Sequence, residues 1–229
     1  MSEESLQRPV ELLSSAMQDY LKAIFVILEQ EDRATTSAIA QRMSVAPASV
    51  TAMIKKLSGL KLITHEPYQG VRFSHAGEKA ALEIIRHHRL LERYLSEALG
   101  VPWERVHDEA EKLEHALSED LEERIATMLD HPDVDPHGSP IPTREGEIRR
   151  PRTRRLSTVD AGETVTVVEV DDRDSDLLIY LGKLRLYPGA VVQVAAVEPF
   201  DGPLLLKLDG REFSLGRRAA GEIRVSAAA

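Results

Sequence analysis

The sequence predicts a mainly α protein that ends in a small all-β module, and three observations carry that prediction. Apolar residues recur at three- and four-residue spacing as far as Ile125, whereas short β-branched or alternating runs fill the last third. Between them, residues 130–158 are rich in Pro, Gly and charge with little periodicity, and read as a linker. The 229 residues are 42% hydrophobic and 29% charged, which places the chain among globular proteins. Cysteine is absent, so thiolate catalysis and Cys-based zinc or iron–sulfur sites are excluded, and any metal must be held by His, Asp, Glu or water. No apolar run approaches the ~18 residues that cross a bilayer, and the first residues are acidic and polar. A cytoplasmic protein with no membrane partner is expected.

Leu21, Ile24 and Leu28 mark an opening helix. From Thr36 to Leu57 the order is a polar cap, a short helix (SAIAQRM), a tight turn (SVAP) and a second helix opening at Pro47, the pattern of a helix-turn-helix. Ala40, Val45, Val50, Met53 and Leu57 are expected to seal the angle between the helices. That leaves Ala46, Ala48, Ser49, Thr51, Ala52, Lys55 and Lys56 outward, small enough to enter a major groove and able to touch phosphates or base edges. The following KLITHEPYQGVRFSHAGEKA reads as strand, turn around Gln69-Gly70, strand and new helix, which makes the unit a winged helix-turn-helix. Thr36, Ser37 and Arg72 complete the candidate DNA-contacting set. Arg and Asn are missing from the outward helix face, so shape and phosphate contacts should carry more than direct base readout. An αα-hairpin without a nucleic-acid role is the alternative.

Charge is consistent with this once it is divided along the chain. The formal net charge is −9, but residues 1–82 hold nine basic and nine acidic groups, 83–149 eight and seventeen, and 150–229 twelve and twelve. Residues 33–79 carry seven basic groups against Glu66 and Glu78, a local excess suited to a phosphate backbone.

The acidic middle third contains HHRLLERYL (87–95) and VHDEAEKLEHALSEDLEERI (106–125), the latter read as one helix with Leu113, Leu117, Leu121 and Ile125 on its apolar side. His88 and Glu92 share a helix face at i and i+4. At 100° per residue His107, Glu111, Glu114 and His115 form a stripe about 100° wide, costly to bury unless a divalent cation settles it. His107 and His115 would be about 12 Å apart along the axis, too far for one ion. Two sites are therefore expected: His88, Glu92 and His107 in one, Glu111, Glu114 and His115 in the other. Glu104, Asp108, Glu109, Glu119, Asp120, Glu122 and Glu123 are assigned to a solvated acidic face, and His65, His75, His87, His131 and His137 to surface or structural roles. Leu90, Leu91 and Leu95 suit either a dimer contact or the monomer core.

In the last third TVTVVEV (164–170), LLIYLGKLRLY (177–187), AVVQVAAVE (190–198) and LLLKL-DG-REFSL (204–215) are read as strands of a five-stranded small barrel. Asp209-Gly210 is a two-residue hairpin signal, and Pro188-Gly189 and Asp201-Gly202 punctuate similarly.

VHDEAEKLEHALS, HHRLLERYL, PHGSPIP, the winged helix and the β-rich last third occur in an order that resembles the diphtheria toxin repressor family of metal-dependent transcriptional regulators, over most of the chain. The resemblance implies a winged-helix DNA-binding domain (1–82), a helical dimerisation domain that holds the metals (83–149) and a linker with an SH3-like barrel (150–229). It implies Mn(II) or Fe(II) as corepressor, a homodimer on a palindromic double-stranded DNA operator, and control of metal-uptake genes. Carried over by position, it implies an ancillary site of His88, Glu92 and His107 and a primary site of Asp19, Glu111, Glu114 and His115. Iron-type members have Met and Cys where this chain has Asp19 and Glu111, and hard oxygen donors favour Mn(II). A second acidic ligand of short manganese-sensing relatives falls at Lys22, which disfavours a binuclear site. The SH3-like domain is expected to lend a carboxylate to the ancillary site, with Asp174 chosen and Asp172 the alternative. No Ser-His-Asp order, phosphate-cradling Gly-rich loop or second Glu-x-x-His pair supports an enzyme. The rival reading is a metal-independent regulator that senses a small molecule or partner through its β module.

Overall fold

The computed structural model describes residues 10, 13–66 and 70–228. They divide into two compact units, one comprising the chain up to His87 with 114–116 and 142–147, the other 88–113, 117–141 and 148 onward.

The first unit opens with α1 (Ser15–Gln30), which buries Tyr20, Leu21, Ile24, Phe25 and Ile27 on one side. α2 (Thr36–Met43) is capped by Thr35, whose hydroxyl accepts from the Ala38 amide at 3.1 Å. It ends at Ser44 in the left-handed conformation (φ 54°), and α3 (Pro47–Gly59) then begins with proline in its first turn, where the missing N–H costs nothing. The angle between the two helices is sealed by Ile39, Ala40, Val50, Ile54 and Leu57. Val45 was expected there but is 37% exposed, and Met53 is half-buried, because the turn carries Val45 outward. β1 (Ile63–Glu66) and β2 (Gly70–Phe73) pair antiparallel, and the Val71 amide also bonds the Ala34 carbonyl at 2.9 Å, so the wing is fastened to the segment before α2. Gln69, expected in its turn, lies outside the described residues.

α4 (His75–Leu99) gives its first half to this unit and its second to the other. In the second unit Leu90, Leu91 and Leu95 pack with Val106, Ala110, Ile125, Ala126 and Ile141, which makes them core. The expected single helix over 106–125 is broken: α5 (Val106–Leu113) runs into a 3₁₀ turn (Glu114–Ala116), and α6 (Glu119–Met128) restarts from Ser118, whose hydroxyl accepts from the Leu121 amide. Ser118 with three acids in the next turn is a helix start signal that outweighs the apolar periodicity.

The same unit holds β3 (Arg154–Arg155), β4 (Thr164–Val170), α7 (Ser175–Leu184), β5 (Val191–Val197), β6 (Leu204–Leu208), β7 (Arg211–Leu215), α8 (Arg217–Gly221) and β8 (Ile223–Ala227). The strands form one antiparallel sheet in the order β3-β8-β4-β5-β6-β7, open at β3 and β7 where a closed barrel was expected. Segment 177–187, expected as a strand, is mostly α7: Asp174 caps it by accepting from the Leu177 amide at 3.0 Å, and Leu178 and Leu181 are fully buried. Asp209 (φ 49°) and Gly210 (φ 73°) make the expected tight hairpin between β6 and β7.

Candidate metal centres

In the first unit α1 and the 3₁₀ turn bring Asp19, Glu114 and His115 together, with donor atoms all within 4.8 Å of one another. His115 Nε2 lies 2.9 Å from Asp19 Oδ1 and 3.7 Å from Glu114 Oε1. Its other nitrogen, Nδ1, is 2.8 Å from Gln18 Oε1, and the Gln18 amide in turn donates to the carbonyls of Val10 and Leu13, both at 3.2 Å. Those two donations fix Oε1 as the acceptor, so Nδ1 carries the proton and the lone pair of Nε2 faces Asp19 and Glu114. That is the tautomer a cation needs. Gln18, 9% exposed, was missed by sequence reasoning; its only signal was its place next to Asp19. Glu114 is 2% exposed, and Lys22 Nζ donates to its Oε1 at 2.6 Å. Glu111, the fourth residue of that expected site, is grouped with the second unit, where its carboxylate is 3.8 Å from His107 Nε2.

In the second unit His88 and Glu92, on α4, meet His107, at the start of α5. His88 Nε2 and His107 Nδ1 are 3.0 and 3.1 Å from Glu92 Oε1 and 3.1 Å from each other. The residue before α7 that joins them is Asp172, whose Oδ2 is 3.3 Å from His107 Nδ1. Asp174, the choice made from sequence, is occupied as the cap of α7.

The PHGSPIP segment extends this cluster. His137, assigned to a surface or structural role, is fully buried, with Nδ1 3.9 Å from Glu92 Oε2 and Nε2 2.8 Å from the Trp103 carbonyl. A carbonyl only accepts, so Nε2 carries a proton, and Nδ1 is turned toward the carboxylate, free to take a second proton or to ligate a cation. Glu92 Oε2, His137 Nδ1 and Asp135 Oδ2 are buried without hydrogen-bond partners, with Arg89 Nε 3.8 Å from Asp135 Oδ2, and three converging ligand atoms of this kind fit a bound cation. Asp135 is otherwise held by the amides of His137 and Ser139 at 2.8 and 3.0 Å. Of the acids assigned to a solvated face, Glu122 is instead buried, 4% exposed.

The charge states agree. Burial alone would depress the His107 ring, but hydrogen bonds to Asp172 and Glu92 raise it to about 11. Burial likewise opposes charge on His137, and Glu92 outweighs it, raising the ring to about 9. Burial raises Asp135 to about 7, with the charge of Glu92 adding to it. Glu92, against the cost of its burial, is held well below the carboxylate range by His88, His107 and His137. The pocket thus collects positive charge, from protons or from a metal.

The candidate DNA-contacting residues are on or beside α2, α3 and β2. Ser37, Ala46, Ala48, Ser49, Thr51, Ala52, Lys55, Lys56 and Arg72 are exposed and Thr36 is half-buried. Thr51 Oγ1 donates back to the Pro47 carbonyl at 3.0 Å.

Residues 12–71 match the N-terminal DNA-binding domain of iron-dependent repressors, 74–143 their metal-binding and dimerisation domain, and 154–227 the FeoA domain. The iron-dependent repressor IdeR of Mycobacterium tuberculosis is 31% identical over 205 residues, covering 84% of this chain and 88% of that protein. The transcriptional regulator MntR of Lysinibacillus sphaericus is 33% identical over 123 residues, 52% of this chain and 88% of that protein. A solved manganese-dependent transcriptional repressor in complex with manganese superposes with a TM-score of 0.88 at 36% identity, covering 93% of this chain and all of that one.

Proposed function

This chain belongs to the iron-dependent repressor family, the one its motifs resemble, and from that membership we propose that it is a Mn(II)-dependent DNA-binding repressor, with Fe(II) as the other corepressor. We assign one ion to Asp19, Glu114 and His115, and a second to His88, Glu92, His107 and Asp172 with Glu92 shared toward Asp135 and His137. Oxygen and imidazole donors without sulfur favour Mn(II). The observation that carries the reading is the 2.9 Å approach of His115 to Asp19, which makes α1 of the winged-helix region part of the metal cluster.

A divalent ion supplies the positive charge that two converging carboxylates need. Asp19 and Glu114 draw α1 and the 3₁₀ turn together, and His115, oriented by Gln18, completes the hold. Without the ion Asp19 and His115 lose their common partner and the Lys22–Glu114 pair is left to tie α1 to the 3₁₀ turn, so α1 loosens and the population able to seat both recognition helices falls. A symmetric dimer presents α3 of each protomer to half-sites about 34 Å apart. Such a regulator works in the cytoplasm, performs no catalysis and controls genes of metal uptake.

The test is retention of sheared genomic DNA by chelator-stripped protein, with and without Mn(II), at one salt concentration. Defined fragments should be held only with Mn(II). Equal retention in both arms would overturn the corepressor role and return the signal to the β module.

A further inference from the structure

Lys22 lies one helical turn after Asp19 on α1, and its ammonium is 2.6 Å from Glu114 Oε1, with the two side chains 12% and 1% exposed. The same oxygen is 3.7 Å from His115 Nε2, the lone pair that would share a cation with it. One carboxylate oxygen is therefore claimed by a resident cation while it stands at ligand distance from the other donors. A hard, hydrated ammonium on a four-carbon stem is suited to that role: it neutralises a buried carboxylate and can withdraw along its stem to water. The charge count points the same way. Asp19 and Glu114 bring two negative charges and Lys22 one positive. An arriving divalent ion thus faces a cluster already half neutralised and must displace the ammonium to use that oxygen.

We propose that Lys22 is an internal counter-ion that holds Glu114 in the metal-free protein and yields it on metal binding, so that it sets the Mn(II) concentration at which the repressor loads. The inference rests on the reading of Asp19, Glu114 and His115 as metal ligands. It differs from a role for Lys22 as a mere support of Glu114 in the sign of its effect on affinity. A support strengthens metal binding, whereas a competitor weakens it.

The experiment measures Mn(II) binding directly, by the electron paramagnetic resonance of free Mn(II), together with thermal unfolding of stripped and loaded protein. A His107→Ala background silences the second cluster, so one site is read. In that background Lys22→Met should bind Mn(II) ten- to a hundredfold more tightly than the Lys22 parent. Stripped Lys22→Met should unfold at a lower temperature than the stripped parent, because Glu114 has lost its partner, while the loaded forms should unfold together. Lys22→Arg, which keeps the charge, should stay within about threefold of the parent. Unchanged or weaker binding in Lys22→Met overturns the proposal and makes Lys22 a support. Tighter binding without loss of stability in the stripped form also overturns it, since a general field rather than a paired carboxylate would then be at work. An Asp19→Ala parent that binds Mn(II) as well as the unmutated one would instead remove the metal-site reading on which the inference stands.

Discussion

At the scale of single residues, the two clusters differ in how their histidines are prepared. His115 is set by a side chain, Gln18, and replacing Gln18 by Leu frees Nδ1 to take either tautomer; Mn(II) affinity at the first cluster should fall about 10- to 100-fold, read by calorimetric titration, with little change in fold. In the second cluster His107, raised to about 11, and His137, raised to about 9, both carry protons at pH 7 in the metal-free protein. Binding must expel them, so affinity there should climb as pH rises toward the range of those raised ring values. Titrations in buffers of different ionisation enthalpy will count the protons, and a pH-independent affinity would contradict the assignment. For stability the sign is opposite: raised ring values stabilise the metal-free fold fully below the ordinary value of 6.5, and that contribution is lost as pH rises through 9 to 11. The ligand types were legible in the sequence because i, i+4 spacing on a helix is a local property. His137 and Asp135 were not, and Asp172 entered only as the alternative to Asp174 through the family resemblance, since their approach to Glu92 depends on loop paths that no periodicity encodes.

At the scale of elements, the segment that carries His137 is held by backbone. The Val170 amide donates to the His137 carbonyl at 2.9 Å, and Gly138, at φ +90°, leaves no room for a side chain: a Cβ there would lie 1.9 Å from the Val168 carbonyl oxygen, beside the bulge in β4. Gly138→Ala should therefore cost on the order of 3 kcal/mol, seen as a lowered unfolding midpoint, and should reduce Mn(II) binding at the second cluster while sparing the first. The glycine and prolines of PHGSPIP read from sequence as linker punctuation, whereas in the structure they form a tight support for a buried histidine. The helix-turn-helix was legible because each of its signals is local: a cap, a turn and a proline in the first turn of α3. α7 was misread because LLIYLGKL is equally good as a buried strand or a buried helix, and what decides it is the cap at Asp174. The break after Leu113 was hidden by the continuous leucine spacing, although Ser118 and the acids behind it announce a new helix. That break matters, because it takes Glu114 and His115 out of a continuous helix with His107 and places them on a 3₁₀ turn.

At the scale of the whole molecule, the apolar side chains left in water bear on assembly. Once Leu90, Leu91 and Leu95 are spent on the core of the second unit, Leu99, Leu113, Leu121 and Met128 remain 45 to 61% exposed on three successive helices. Isolated exposed apolar side chains are ordinary, but these four lie in the region that matches a metal-binding and dimerisation domain, and Leu121 and Met128, seven residues apart, share one side of α6. Leu121→Glu combined with Met128→Glu places charge on that face without touching a ligand, and sedimentation should show the variant as a monomer when the parent is a dimer. Since a palindrome is read by two recognition helices at once, the monomer should retain Mn(II) binding yet lose most operator affinity, because the second half-site no longer adds its contacts. A variant that stays dimeric would move the interface elsewhere. A variant that turns monomeric but grips the operator unchanged would break the link between symmetry and recognition. The charge map sharpens the same expectation: with the acidic excess confined to 83–149 and the basic groups of 33–79 the ones offered to phosphate, joining two protomers through the acidic third keeps like charge away from DNA. Operator binding by the dimer should therefore weaken steeply with salt, with a slope roughly twice that of the monomer.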